Sequence, residues 1–282
     1  MPLALLALTI SAFAIGTTEF VIVGLVPTIA NQLAISLPSA GLLVSIYALG
    51  VAVGAPVLTA LTGRFPRKQL LVALMVLFTA GNLLAWQAPD YTTLVIARLL
   101  TGLAHGVFFS IGSTIATSLV PKEKAASAIA IMFGGLTVAL VTGVPLGTFI
   151  GQHFGWRETF LAVSLLGVIA LVASMLLVPS NIPGRASASL SDQLKVLTHP
   201  RLLIIYAVTA LGYGGVFTAF TFLAPMMQDL AGFSPPAVSW TLLGSGIAVA
   251  IGNSRAGKLA AKIGVVPRLR SIIAPLVLSL II

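Results

Sequence analysis

Long runs of apolar residues alternate with short polar links along almost the whole chain, and each run predicts one membrane-crossing helix. A helix needs about 20 apolar residues to cross about 30 Å of hydrocarbon. Turn-forming residues in the links, such as Pro66, Pro121 and the sequence FSPP at 233–236, favour breaks between the helices. We predict spans at residues 3–26, 40–61, 69–86, 92–120, 125–150, 159–178, 202–227 and 238–257, and a shorter ninth run at 271–282.

The composition agrees with this pattern. Only 7% of the 282 residues are charged and 58% are hydrophobic, whereas a soluble domain has roughly 25% charged residues. Lipid tails accept apolar side chains on all sides of a helix bundle, so we predict an all-α integral membrane protein. The first run is not expected to be a cleaved signal peptide, because no basic segment precedes it and it is too long.

The formal net charge of +9 could suggest a nucleic-acid-binding protein, but the basic residues are distributed by topology. They cluster in the even-numbered links, whereas the odd-numbered links contain only Arg157. This asymmetry places the even links and the N-terminus in the cytoplasm. We therefore predict no nucleic-acid partner.

The chain divides at a polar stretch and then repeats. Residues 179–200 predict a cytoplasmic linker between a six-helix bundle at 1–178 and an incomplete second bundle at 201–282. A shift of 198 positions aligns Gly16 with Gly214 and Pro27 with Pro225, and it also aligns the helix and link that follow. Two-fold repeats of six helices are typical of one large class of secondary transporters, which bind substrate where the repeats meet.

Four motifs in the predicted helices resemble the major facilitator superfamily, and within it the drug:proton antiporter branch with its sugar-efflux-like members. The first helix carries GTTEFVIVGLVP at 16–27, and the following link carries LTGRFPRK at 61–68. That link is similar to the family's gating motif G-x-L-A-D-R-x-G-R-R, and GKLAAKIG at 257–264 is its repeat. Both copies lack the family's aspartate. The resemblance implies a gating role for the basic residues Arg64, Arg67, Lys68, Lys258 and Lys262.

The other two motifs lie in the fourth and fifth helices. Arg98 and Gly102 match the fourth-helix motif, and GVPLG at 143–147 resembles the fifth-helix antiporter motif. The resemblance implies that Gly143, Pro145 and Gly147 form a kinked interface that resists leakage. Small residues at four-residue spacing let helices approach closely, and we expect Gly134 and Gly151 to extend this face. The implied fold is a major-facilitator-type bundle with a complete N-terminal half and part of the second half.

Glu19, Arg98 and His105 are the candidates for proton coupling. Glu19 lies well inside the first span, where a carboxylate costs several kcal/mol unless it is paired, solvated or protonated. Arg98 and His105 lie two helical turns apart on one face of the fourth span, and the depth of Glu19 falls between theirs. Since the resemblance places both helices on a central cavity, we expect the three groups to share one aqueous pocket. The alternatives are a packing role for Glu19 as a neutral, hydrogen-bonded side chain, a packing role for His105 and a helix-capping role for Arg98.

Aromatic and hydroxyl side chains on the same helices are the candidates for a substrate cavity, although aromatic residues in membrane helices often face lipid. The predicted cavity residues are Thr18, Tyr47, Thr101, Phe108, Tyr213 and Phe217.

The resemblance implies a secondary transporter that exports small organic solutes, drugs or sugars, in exchange for protons by alternating access. The expected partners are protons, the solute and the bilayer of the bacterial inner membrane, with a monomer as the full-length form. The absence of cysteine, phosphate-binding and metal motifs predicts no cofactor and no metal site.

Two alternatives stay open. The repeat offset implies a complete chain of about 396 residues, so this chain is expected to be C-terminally truncated and inactive alone. The other alternative is an intramembrane enzyme that pairs Ser110 or Ser113 with His105. Each serine is separated from the histidine by five or eight positions along one helix, and this spacing gives no clear geometry for a nucleophile and its base.

Overall fold

In a computed structural model of the chain, residues 2–182 and 198–263 are described, with only the backbone given for residues 201 and 253–263. Eight helices of this part are long and apolar enough to cross a membrane, which confirms the eight predicted spans. They are α1 (Leu3–Gln32), α2 (Leu37–Leu61), α3 (Arg67–Trp86), α4 (Tyr91–Ser118), α5 (Lys122–His153), α6 (Trp156–Leu177), α7 (Pro200–Thr221) and α8 (Pro235–Ile263).

Helices α1 and α8 each end six residues later than the sequence predicts. Helix α1 continues through Pro27 to Gln32, although the predicted span stops before the proline. Proline is tolerated inside membrane helices because neighbouring groups can satisfy the freed carbonyl. Helix α8 reaches Ile263, so Lys258 and Lys262 lie on a helix and not in a link. Most of the predicted linker and the whole ninth run, 271–282, lie outside the described residues.

Polar side chains mark the starts of α2 and α4. The hydroxyl of Ser36 accepts a hydrogen bond from the backbone N–H of Ser39 at 3.2 Å. The carboxylate of Asp90 accepts one from the backbone N–H of Thr93 at 2.8 Å, which caps the N-terminus of α4. These backbone hydrogen bonds hold the pKa of Asp90 below its usual range. Glu123 lies in the first turn of α5, where an acidic side chain favours the helix N-terminus.

Helix α1 is the centre of the first bundle. It packs against α2, α5 and α6, while α4 packs along α2 and α3, and α3 along α6. The buried side chains form two apolar clusters, one toward each end of the bundle. Because α1 is enclosed on several sides, polar residues in its interior such as Ser11, Thr17 and Thr18 are buried.

Helix α5 supports α1 through a row of small residues. Gly143, Gly147 and Gly151 lie so close to α1 that an added Cβ would meet Thr17, Val21 and Leu25 respectively. The predicted packing face is therefore present for these three. Gly134 does not belong to it, because the space beside Gly134 is open within the described residues.

The row is continued instead by Gly135, which packs on the backbone of α1 at Thr9 and Phe13. One turn of α5, Ala139–Gly143, is π-helical and directly precedes the buried Pro145. A π-turn shifts the helical register, and this keeps residues spaced by four on the α1 side from Gly135 to Gly151. Gly134 lies nine residues before Gly143, which breaks the four-residue spacing, whereas Gly135 lies eight residues before it and keeps that spacing.

The second half contacts the first mainly through α8, which packs along α5. Helix α8 begins 198 residues after α2, which matches the offset of the sequence repeat. An added Cβ on Gly246 of α8 would overlap the carbonyl oxygen of Leu140, in the π-turn of α5. The two halves therefore touch backbone to backbone at this point.

Candidate functional site

Glu19 lies near the middle of α1 on the wall of a cavity. Its side chain is 20% exposed. One carboxylate oxygen, Oε2, is buried and has no hydrogen-bond partner among the described residues. A buried carboxylate without a hydrogen bond is costly, so this group favours either a proton or a bound cation.

His105 of α4 faces that oxygen. Its Nδ1 lies 3.8 Å from Oε2 of Glu19. The same nitrogen lies 3.0 Å from the hydroxyl of Tyr47 on α2, within hydrogen-bond distance. Three helices thus bring a carboxyl, an imidazole and a phenol into one polar cluster.

Arg98 lies beside this cluster, and its polar contacts go elsewhere. Its Nη1 donates to the backbone oxygen of Thr18 at 2.7 Å, and its Nε donates to that of Leu43 at 3.3 Å. The guanidinium carbon lies 4.2 Å from the centre of the Tyr47 ring, which makes a cation–π contact. Arg98 therefore joins α4 to α1 and α2. This agrees with the alternative in which Arg98 caps neighbouring helices.

The three predicted coupling residues are close together but do not share the cavity as expected. Arg98 is 1% exposed, and His105 is also buried. Only Glu19 reaches the cavity wall. Arg98 and His105 do not reach the cavity because the Tyr47 ring and the backbone of α2 cover the polar face of α4.

The cavity itself has a volume of about 890 Å³ and lies between α1, α2 and α7. On the side of α7 it is lined by Tyr213 and Phe217, whose rings are 5.0 Å apart, and Phe222 follows the end of that helix. Most of the remaining lining is apolar. The residues that line it are Glu19, Pro38, Gly41, Leu42, Val44, Ser45, Ala48, Ala52, Thr209, Ala210, Tyr213, Gly214, Phe217, Thr218, Thr221 and Phe222.

The hydroxyl groups on the α7 side are already used. Thr209, Thr218 and Thr221 each donate to a backbone carbonyl four residues earlier in their own helix, at 2.7 to 2.9 Å. Each of these hydroxyls can still accept a hydrogen bond, but its proton is already donated within the helix. Within the described lining, Ser45 and Tyr213 offer hydroxyl protons to a bound molecule, and Glu19 adds carboxyl oxygens.

Four of the six predicted cavity residues lie elsewhere. Thr18 donates to Oδ1 of Asn82 at 2.6 Å, and Thr101 donates to the backbone of its own helix. Phe108 is fully buried in an apolar cluster, and Tyr47 belongs to the polar cluster around His105. Tyr213 and Phe217 do line the cavity.

The sequence contained a signal for the residues that were missed. The missed residues Thr209 and Thr221 flank the predicted Tyr213 and Phe217 at four-residue spacing, so all four share one face of α7. Asn82 is a single amide inside the predicted third span and was overlooked. Its bond to Thr18 holds α3 to α1 directly before Glu19.

The basic residues of the predicted gating motif lie at the start of α3 and in the link before it. Arg64 is exposed, whereas Arg67 begins α3 and is buried. Lys68 follows it on the first turn and is half-buried. The side chains of Lys258 and Lys262 are outside the described residues, so the gating role stays a prediction for all five.

Comparison with known proteins matches residues 8–282 to the model of the Major Facilitator Superfamily. The chain is 55% identical over 256 residues to YtbD of Bacillus subtilis, an uncharacterized transporter of this type. This match covers 91% of the chain and 65% of that relative. It is 46% identical to YdhP of Escherichia coli, named an inner membrane transport protein, over 91% of the chain and 66% of the relative. The chain thus spans about two thirds of the length of these relatives.

Two further likenesses are informative. A chloramphenicol resistance protein of Streptomyces lividans is 37% identical over 92% of the chain and 67% of its own length. The crystal structure of a bacterial homologue of the human lysosomal transporter Spinster, inward-facing and unoccupied, superposes with a TM-score of 0.71 at 20% identity. That superposition covers 94% of this chain and 63% of that one. The motifs, the helical architecture and these matches agree, and the chain belongs to the Major Facilitator Superfamily.

Proposed function

We propose that the protein is a secondary active transporter that exports small organic solutes across the bacterial inner membrane in exchange for protons. The observation that carries the proposal is the carboxyl of Glu19, which lines the cavity and has a buried oxygen without a hydrogen bond. Membership of a family of transporters, and relatives named as transporters, argue against the intramembrane enzyme.

Glu19 is suited to carry the proton. A charged carboxylate in the membrane interior is unfavourable, and protonation removes that cost. When alternating access opens the cavity to the other solution, the same group can release its proton there. His105, 3.8 Å away, is the nearest described basic group that could take part in the exchange.

The cavity favours drug-like solutes over sugars. Its volume of about 890 Å³ lies in the range of sites for drug-sized ligands. A sugar needs partners for several hydroxyl groups, whereas the threonines of α7 are bonded within their helix. The aromatic rings of Tyr213, Phe217 and Phe222 instead offer stacking surface to an apolar or aromatic solute.

The proposal includes the direction of transport, which is export, and the orientation of the protein, with the N-terminus in the cytoplasm. The chloramphenicol resistance protein among the relatives supports an outward direction. The basic residues of the even links support the orientation.

Transport into proteoliposomes under an imposed pH gradient tests the proposal. We would compare residues 1–282 with a chimera that joins the chain to the part of YtbD outside the match, using labelled chloramphenicol, other lipophilic drugs and D-xylose. Glu19→Gln should abolish gradient-driven flux of a drug, because glutamine keeps the volume of the side chain but carries no proton. Glu123→Gln is the matched control, since this exposed carboxyl lies outside the cavity. Flux at the parental rate in Glu19→Gln would contradict proton coupling through this residue.

A further inference from the structure

Tyr47 contacts both His105 and the neighbouring Arg98, and it does not line the cavity. Its side chain is 2% exposed. The hydroxyl lies 3.0 Å from Nδ1 of His105, while the face of the ring lies 4.2 Å from the guanidinium carbon of Arg98. The ring also meets the imidazole edge-on, with 5.6 Å between the ring centres.

A single nitrogen of His105 therefore faces two oxygens. Nδ1 lies 3.0 Å from the phenol oxygen of Tyr47 and 3.8 Å from Oε2 of Glu19. The shorter distance is a hydrogen bond, and the longer one is not. If the phenol donates, Nδ1 must carry a lone pair, which places the proton of the neutral ring on Nε2.

This choice decides the state of Glu19. With its lone pair occupied by Tyr47, Nδ1 cannot also carry a proton toward the carboxylate. Without the phenol, Nδ1 is free to take a proton and to form an ion pair with Oε2 across the same gap. A carboxylate in such a pair would bind the coupling proton less readily.

We propose that Tyr47 is a positioning residue for proton coupling: its hydroxyl holds Nδ1 of His105 as an acceptor, so that the carboxyl of Glu19 stays available to take and release a proton. The inference rests on the proposed function of Glu19. The charged or titratable groups around the imidazole are Glu19 on α1, Tyr47 on α2 and Arg98 on α4, and Tyr213 on α7 lines the same cavity as Glu19.

Arg98 supports this arrangement. Its two hydrogen bonds to α1 and α2 fix the guanidinium against the ring of Tyr47, and the ring in turn orients the hydroxyl toward His105. Phenylalanine at position 47 would keep the ring and its cation–π contact and would remove only the hydroxyl. Tyr47→Phe is therefore a clean test of the hydrogen bond.

The first experiment measures the tautomer of His105. ¹⁵N NMR of the purified chain reports the tautomer of each of its three histidines, and His105→Asn identifies the signal of His105. We expect the Nε2–H form in the parental chain and loss of that preference in Tyr47→Phe. Tyr91→Phe is the control, since its hydroxyl donates to the backbone oxygen of Ser39 at 2.7 Å, away from the cluster. An unchanged tautomer in Tyr47→Phe overturns the inference.

The second experiment reads the pH profile of drug transport by the chimera. Tyr47→Phe should move the profile by about one pH unit toward lower pH, as an opposite charge near a carboxylate does. In the His105→Asn background the same substitution should have no such effect, because the phenol acts through the imidazole. A profile that does not move, or that moves equally in both backgrounds, overturns the inference.

The two proposals fail in different ways. If Glu19→Gln transports normally while the tautomer of His105 depends on Tyr47, proton coupling through Glu19 is wrong and the hydrogen bond is only structural. If Glu19→Gln is inactive while Tyr47→Phe matches the parental protein in both experiments, only the role of Tyr47 is wrong.

Discussion

Nη1 of Arg98 donates to the backbone oxygen of Thr18 at 2.7 Å, so the fourth helix is fastened to the first at the residue directly before Glu19. A second donor of the same side chain, Nε, holds the backbone of Leu43 on α2 at 3.3 Å. One guanidinium thus fixes the relative positions of the three helices that carry the polar cluster. Substitution of Arg98 should therefore separate its contribution to the stability of the bundle from its contribution to proton coupling.

We expect Arg98→Ala to be more damaging than Arg98→Lys. Alanine removes both hydrogen bonds, each worth about 1.5–3 kcal/mol when a charged group donates, whereas lysine has one nitrogen and can keep one of them. Thermal unfolding in detergent, followed by tryptophan fluorescence, should give the order parental, lysine, alanine. Arg64→Ala is the control, because Arg64 is exposed. Equal melting temperatures for all variants would show that the hydrogen bonds of Arg98 do not stabilise the bundle.

A second prediction concerns the aromatic wall of the cavity. Phe217→Ala should weaken binding of chloramphenicol or another lipophilic drug about 5- to 10-fold, because it removes a ring that stacks near Tyr213. Leu211→Ala is the matched control on the same helix, since Leu211 is 80% exposed and does not line the cavity. Equilibrium dialysis with the purified chimera measures both. Equal losses in the two variants would contradict a specific role for Phe217.

The sequence was sufficient to predict the fold. The eight apolar runs are local patterns, and eight helices of the described residues reproduce them. The repeat offset of 198 recurs between the first residues of α2 and α8, whereas the linker at residues 179–200 stays a prediction. The single basic residue of the odd links, Arg157, is also explained. It donates twice to the backbone oxygen of Ala88, at 3.1 and 2.7 Å, and stacks on the ring of Trp156.

The site was only partly predictable, because side-chain direction depends on contacts between helices. Depth along α1 and α4 correctly brought Glu19 near His105. It could not show that Arg98 turns toward backbone carbonyls, or that Tyr47 covers it. Periodicity gives the face of a helix, but which neighbour meets that face is set by packing between distant parts of the chain.

The small-residue face of α5 gives a third prediction. Gly143→Ala should lower the free energy of unfolding by about 1–3 kcal/mol, because the new methyl group would meet the side chain of Thr17 in a packed interface. Gly134→Ala, on the same helix, has open space and should be neutral or slightly stabilising through helix propensity. Thermal unfolding of both variants distinguishes them. A stable Gly143→Ala would mean that α1 and α5 can separate without cost.

The last prediction concerns the contact between the two halves. Gly246 of α8 lies against the carbonyl oxygen of Leu140, in the π-turn of α5, so any side chain there must push the helices apart. Gly246→Leu should therefore increase the distance between the halves and impair transport, whereas Gly244→Leu should do neither, because the space beside Gly244 is open in the described part of the chain. The chain contains no cysteine, so spin labels can be attached at cysteines introduced for exposed Leu176 on α6 and Val249 on α8. Double electron–electron resonance would then report the separation in each variant. If the distance distribution in Gly246→Leu matches that of Gly244→Leu, α8 does not touch α5 at this glycine, and the halves must meet elsewhere.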